Sequence, residues 1–274
     1  MNAEVAMHAD PVSQRAEAPR VSVIIPCAPR QHALQETLLA IQKQTFQGWE
    51  VVLVLDGECE ENRREAAVLP DDRLRIFLTP RPRSGPSTAR NIGLAECRGG
   101  LVAFCDADDL CDPERLARQV AEFDRRPALG MLATWSRRFD SATGADLGPM
   151  HCPTESDALA RKLLLFNPVT MSTVMARTEL VRQAGGFRTA AVHAEDYDLW
   201  LRILGRAEVA ALPEELVRYR VSEGQYSHRA KIMPTSALLR REKLAAAKRL
   251  GFSGPVTRAK HLAWVGVQLA NRRF

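Results

Sequence analysis

Four short apolar runs recur along the first 105 residues: Val21-Ser-Val-Ile-Ile25, Val51-Val-Leu-Val-Leu55, Leu74-Arg-Ile-Phe-Leu78 and Leu101-Val-Ala-Phe-Cys105. Each has the length of a single strand and is too short for a stable helix. Their β-branched residues favour extended backbone. Apolar side chains at successive positions demand that both faces of such strands be covered. Between the runs lie segments of helical character: 31–44 with Leu34, Leu38 and Ile41 at helical spacing, 60–68, 87–97 with Ile92 and Leu94, and 113–123. Alternation of this kind predicts an α/β fold, a mostly parallel sheet with helices on both faces.

After Arg126-Pro127 the rhythm changes. The pattern predicts strands over 129–135 and 137–140, a turn at Gly144, a helix over 156–166 and a strand over 172–176. A helix over 178–184 is stopped by Gly185-Gly186, another covers 195–204, and short strands cover 209–212 and 216–219. Two C-terminal helices follow, with breaks at Pro234 and at Gly251 to Pro255. The organisation read from this is a disordered polar leader (1–20), one domain (21–228) and a basic helical extension (229–274).

Several function classes are excluded. No run approaches the ~18 apolar residues of a membrane span, and the leader lacks the apolar segment of a secretory signal. Six cysteines without a Cys-x-x-Cys pair argue against a zinc site or disulfide framework, and for a reducing, cytoplasmic setting. Residues 229–274 carry eleven Lys/Arg and one acid, +10, which leaves −5 on the remainder of a chain whose net charge is +5. A basic tail on a mildly acidic body suggests an anionic surface, with a peripheral place at the inner face of the membrane as one reading and a solvated helical face as the other.

The chemistry concentrates at strand ends. The fourth apolar run closes in Asp106, Asp108 and Asp109, and clustered carboxylates resist burial. At the C-terminal edge of a parallel sheet they lie where such sheets bind ligands. Oxygen donors at this spacing suit Mg²⁺ or Mn²⁺ shared with a diphosphate. Asp112-Pro113 reads as N-cap and first helical residue, which leaves the three preceding aspartates unexplained by capping. Pro26 and Asp56 end the first two strands on the same edge. The segment Pro80–Gly93 supplies small residues and the arginines Arg81, Arg83 and Arg90 for anionic oxygens.

Taken together, Val21-Ser-Val-Ile-Ile-Pro26, Gln44-Thr-Phe46 with Trp49-Glu50, Leu55-Asp-Gly57, Gly85-Pro-Ser-Thr-Ala-Arg-Asn-Ile-Gly93, Asp106-Ala-Asp108 and Glu195-Asp196 resemble the family 2 inverting glycosyltransferases of GT-A fold, in the family's order. The resemblance implies a nucleotide-diphosphosugar donor, with a UDP-sugar favoured. It implies that Pro26 and Asp56 line the base pocket, that Arg90 helps hold the nucleotide, that Asp106 contacts ribose or sugar, and that Asp108 is the metal ligand. The Gln-x-x-Arg-Trp signature of processive relatives is absent, so one sugar would be transferred, to an envelope or exopolysaccharide glycan or a lipid-linked acceptor.

Spacing supplies an argument for the base. Asp196, Leu199, Trp200 and Ile203 share one helical face, which puts Asp196 on an inward stripe and turns Glu195 about 100° away. General base catalysis accounts for an inward carboxylate, and a favourable helix dipole is the bland alternative. Both Asp196 and Glu195 stand as catalytic candidates, Arg81, Arg83 and Arg220 as helpers of the leaving diphosphate, and His193 and His228 as weaker contacts. A nucleotidyltransferase would carry a glycine-rich loop after the first strand, where Cys27-Ala-Pro-Arg30 stands instead. A dinucleotide oxidoreductase lacks its Gly-x-Gly-x-x-Gly. The remaining alternative is an inactive nucleotide-sugar-binding module. No nucleic-acid partner is expected.

Overall fold

The computed structural model describes residues 18–29, 33–69, 72–222 and 233–252, and beyond them 254–256, 259, 261–263 and 266. The described strands are β1 (Val21–Cys27), β2 (Trp49–Leu55), β3 (Leu74–Leu78), β4 (Leu101–Phe104), β5 (Leu110–Cys111), β6 (Leu129–Asp140), β7 (Asp146–Met150), β8 (Met175–Arg177) and β9 (Glu208–Val221). The helices are α1 (Leu34–Gln42), α2 (Glu60–Ala66), α3 (Pro86–Glu96), α4 (Arg115–Arg125), α5 (Ser156–Leu163), α6 (Thr178–Gln183), α7 (Glu195–Ile203) and α8 (Met233–Arg249), with a 3₁₀ turn at Met171–Thr173.

One sheet runs β3-β2-β1-β4-β8-β6-β9-β5, with β7 paired to β6. The first four strands are mutually parallel. β8 is antiparallel to both neighbours, β6 and β9 are parallel, and β5 is antiparallel to β9. Side chains alternate across each strand. Val21, Val23 and Ile25 of β1 face a core filled by Leu34, Leu38 and Ile41 of α1 and Leu116, Val120 and Phe123 of α4. Ile24 faces the other way, with Val102 and Phe104, into a core built from α3, α5, α6, α7 and α8. Both faces are covered, as the apolar runs require.

Several boundaries differ from the sequence reading. β6 is one strand, and β9 is continuous through Pro213. Pairing steps from Thr134–Leu212 to Trp135–Glu215, so Pro213 and Glu214 form a bulge that needs no ladder hydrogen bond. The strand expected over 172–176 divides into the 3₁₀ turn and β8. α4 begins at Arg115 and not at Pro113, because Asp112 Oδ1 accepts the Glu114 N–H (2.9 Å) in a turn of its own. β5 and β7 were not anticipated. Pro234 lies in the first turn of α8, where a missing N–H costs nothing, so it does not break the tail there.

The basic extension is partly structural. Leu239, Ala246 and Ala247 of α8 are buried in the same core as α7. Arg249 caps the C-terminal end of α7 by donating to the carbonyls of Leu204 and Leu201 (both 2.7 Å). Glu242 accepts from Arg188 (2.8 Å), which reaches on to buried Asp198 (3.2 Å), itself paired with Arg202. Residues 1–17 of the expected leader (1–20), most of the expected second tail helix, and Trp264 and Val265 lie outside the described residues. Arg20, counted with the leader, is already tied to the sheet edge through Gly48 (2.8 Å).

Candidate active site

The parallel register of β1, β2 and β4 brings Pro26, Asp56 and the aspartate loop to one edge. Asp56 organises that edge. Its Oδ1 accepts the Thr79 hydroxyl (2.8 Å) and the Ser84 N–H (2.7 Å), and its Oδ2 accepts the Gly85 N–H (2.9 Å). A carboxylate offers about four acceptor sites, so Asp56 fixes the 79–85 loop and keeps capacity for one further donor. Gly85 enters α3 at φ +85°, which a side chain would resist. Gly93, by contrast, does not serve close approach to a ligand: a Cβ there would lie 2.6 Å from Ile24 Cγ2, so it lets α3 sit on β1.

The aspartates have distinct surroundings. Asp106 and Asp108 keep part of their surface open, and Asp109 is fully buried. Asp109 Oδ1 accepts the Arg220 backbone N–H (2.9 Å), and Arg220 Nε donates to the Asp108 carbonyl (2.7 Å). Oδ2 of Asp109 is buried without a hydrogen-bond partner. Burial, then the charges of Asp108 and Asp106, push the Asp109 carboxyl well above the usual range. Arg220 continues to Glu36 (2.7 Å) and lies over the Phe139 ring. The Ser172 hydroxyl, on the 3₁₀ turn, accepts the Asp106 N–H (3.0 Å).

Arg90 links this loop to α7. Its guanidinium is buried and donates to Asp106 Oδ1 (2.7 Å) and Glu195 Oε1 (3.1 Å). Its described hydrogen bonds are thus to carboxylates that it positions, and the guanidinium also lies over the Phe187 ring (5.6 Å). The helical-wheel expectation for Glu195 and Asp196 does not hold. Glu195 is buried against Arg90, and Asp196 is the half-buried one. α7 is packed by α5, α6 and α8, so no single inward stripe exists. The Asp196 carboxylate accepts the Asn167 side-chain amide on Oδ2 (2.8 Å) and the Tyr197 N–H on Oδ1 (2.6 Å). Burial, then Glu195, raise its pKa from the ordinary 3.8 to about 7, against the Tyr197 N–H and the Arg90 charge.

Arg81 and Arg83 are exposed on the loop that Asp56 fixes. Arg83 and His193 are the described non-glycine residues with left-handed backbone (φ 60° and 59°), and they lie in the loops leading to α3 and α7. His228 lies outside the described residues. Asn167, Ser172 and Glu36 escaped the sequence reading. Only Asn167-Pro168 carried a signal, as a turn dipeptide.

A divalent cation fits the aspartate loop by its donor set: hard carboxylate oxygens, an orphaned Asp109 oxygen, and surplus negative charge that two arginines only partly offset. Among the described residues no three His, Cys, Asp or Glu side chains form a complete metal site. A ligand would have to contribute the remaining oxygens.

The sequence profile described as "Glycosyl transferase family 2" matches residues 22–178. The amylovoran biosynthesis glycosyltransferase AmsE of Erwinia amylovora is 29% identical over 80% of this chain and 82% of its own. The UDP-Glc:alpha-D-GlcNAc-diphosphoundecaprenol beta-1,3-glucosyltransferase WfgD of Escherichia coli is 26% identical over 76% and 79%. Among solved structures, S. aureus TarS 1–349 in complex with UDP-GlcNAc superposes with TM-score 0.73 at 20% identity, over 92% of this chain and 73% of that one. Mannosyltransferase PcManGT of Pyrobaculum calidifontis, in complex with GDP-Man and Mn²⁺, gives 0.58 at 21% identity, over 92% and 76%. These likenesses fix the GT-A architecture, and with the profile match they establish that the chain is a glycosyltransferase belonging to glycosyl transferase family 2.

Proposed function

We propose that the chain transfers one sugar from a nucleotide-diphosphosugar to an acceptor hydroxyl in a single displacement that inverts the anomeric centre. The observation that carries this reading is Asp196: a half-buried carboxylate with a pKa near 7, joined through Glu195 and Arg90 to the aspartate loop. A base poised near neutral pH is suited to take a hydroxyl proton as the oxygen attacks. Asp106 would meet the ribose or sugar, and Pro26 and Asp56 the base. Arg83, with Arg81 and Arg220, would address the diphosphate.

Asp108, with Asp109 beneath it, would hold Mn²⁺ or Mg²⁺ together with donor phosphate oxygens. When bound, such an ion stabilises negative charge on the departing nucleoside diphosphate. A UDP-sugar is favoured because WfgD is named for UDP-Glc and TarS binds UDP-GlcNAc. A glycan or lipid-linked acceptor is favoured because relatives are named for amylovoran and diphosphoundecaprenol substrates.

A thermal-shift screen of nucleotide sugars with Mn²⁺ tests the donor. Ligand at a hundred times its Kd adds about 2.7 kcal/mol, an upward shift of roughly 5–10 °C for a domain of this size. UDP-sugars should produce it in the wild type, and Asp108→Ala should lose the metal-dependent part. No shift with any nucleotide sugar would overturn the donor assignment.

A further inference from the structure

The loop between α5 and β8 touches both halves of the site. Near its start, Asn167 Nδ2 donates to Asp196 Oδ2 (2.8 Å). Near its end, Ser172 Oγ receives the Asp106 N–H (3.0 Å). The amide of Asn167 has a defined orientation, because its Oδ1 accepts the Val169 N–H (3.1 Å) in an Asx turn. An oxygen turned toward Val169 leaves the NH₂ for Asp196, so the usual ambiguity of an amide flip is removed. The same turn leads into the 3₁₀ turn, where Thr173 Oγ1 donates to Thr170 O (2.7 Å) and Thr170 meets Ser136 of β6 (3.2 Å). Asn167 is therefore held by a short, locally closed segment anchored on the sheet.

We infer that Asn167 is the positioning residue of the general base: its amide fixes the Asp196 carboxylate rotamer and supports its ionised form. The inference rests on Asp196 being the base, and it adds a residue that none of the site motifs contains. The physical content is directional. An amide N–H donates to a carboxylate but offers nothing to the protonated O–H in that orientation, so it favours the charged state. The Tyr197 N–H holds Oδ1 in the same sense. Together they engage both oxygens and restrict rotation of the carboxylate. Other charged groups act on the same carboxylate. Glu195 on α7 and Asp106 after β4 oppose ionisation, and Arg90 on α3 supports it. His193 precedes the helix, and Lys243 of α8 lies over the Tyr197 ring. Asn167 is the described neutral side chain that donates directly to Asp196.

The test compares Asn167→Leu and Asn167→Asp with Asp196→Asn, using donor hydrolysis or transfer with the best donor from the thermal screen. Asn167→Leu removes the donor. Turnover should fall about tenfold, donor KM should stay within about twofold, and the acidic limb of the kcat profile should move up by about one pH unit. Asn167→Asp keeps the shape and the Val169 contact and guards against misfolding of the leucine variant. Its added negative charge should move the limb at least as far upward. An unchanged limb and turnover in both Asn167 variants, with Asp196→Asn inactive, would overturn the positioning role and leave the base assignment intact. An active Asp196→Asn would instead remove the base itself, whatever the Asn167 variants do.

Discussion

The raised pKa of Asp196 has consequences for stability as well as for the proposed chemistry. The unfolded chain gives up this proton near 3.8 and the folded chain only near 7, so between those values the folded state binds more protons. Stability from this group is complete below 3.8 and declines as pH rises through 7. Asp196→Asn, which cannot ionise, should therefore melt higher than wild type at pH 8 and nearly alike at pH 4. Catalysis runs the opposite way: kcat should rise through pH 7 as the base deprotonates. Melting curves and a pH–rate profile on the same preparations check both signs. Equal melting differences at the two pH values would show that Asp196 is not held as a high-pKa carboxyl. The pair Glu195-Asp196 was legible as a place of clustered carboxylates at the start of a helix. What was not legible was which of the two faces the buried arginine, because that depends on partners from α3, α5 and α8. Asn167 and Ser172 were hidden for the same reason: each acts on a residue 29 or 66 positions away.

At the scale of elements, α4 is pinned to the sheet by a buried arginine. Arg115 is fully buried, and its guanidinium donates to the carbonyls of Phe104 (3.0 Å) and Val174 (3.3 Å) and to Cys111 Sγ (3.1 Å). These contacts bind the end of β4, the start of β8 and β5, the frame from which the aspartate loop projects. Arg115→Met fills much of the volume but leaves the Phe104 carbonyl without its donor, while the Val174 carbonyl keeps the Phe104 N–H (3.0 Å). Denaturant unfolding should show a loss of about 1–3 kcal/mol, the cost of one stranded buried carbonyl. A loss below about 0.5 kcal/mol would mean that water or backbone replaces the guanidinium without cost. The first four strands were readable in advance, because apolar runs bounded by turn residues suffice to mark them. The bulge at Pro213–Glu214 and the division of 172–176 were not, since only pairing with β6 and β4 decides them.

For the whole molecule, the basic extension has a structural role that charge counting alone could not reveal. One side of α8 completes the α7 core through Leu239, Lys243 and Ala246, and Lys243 Nζ reaches the Leu165 carbonyl (2.8 Å). Burial lowers its pKa to about 7. The other side leaves Arg240 and Lys248 exposed, and beyond it Val256 and Leu262 are among the most exposed large apolar side chains. No described helix is long and apolar enough to cross a membrane. Deleting 229–274 would damage the fold, and charge reversal is the cleaner probe. Arg240→Glu with Lys248→Glu should leave melting within about 1 °C and weaken co-sedimentation with anionic vesicles, each charge near such a surface contributing about 1 kcal/mol. Unchanged binding, or equal binding to neutral vesicles, would assign the tail to the fold alone.

In the proposed reaction Asp196 acts on the acceptor proton and not on donor binding. Turnover and donor affinity of Asp196→Asn, measured side by side with the same nucleotide sugar, test this role most directly. Turnover should fall roughly 10²-fold or more with donor affinity within about twofold of wild type. A parallel fall in both, or full turnover, would contradict it.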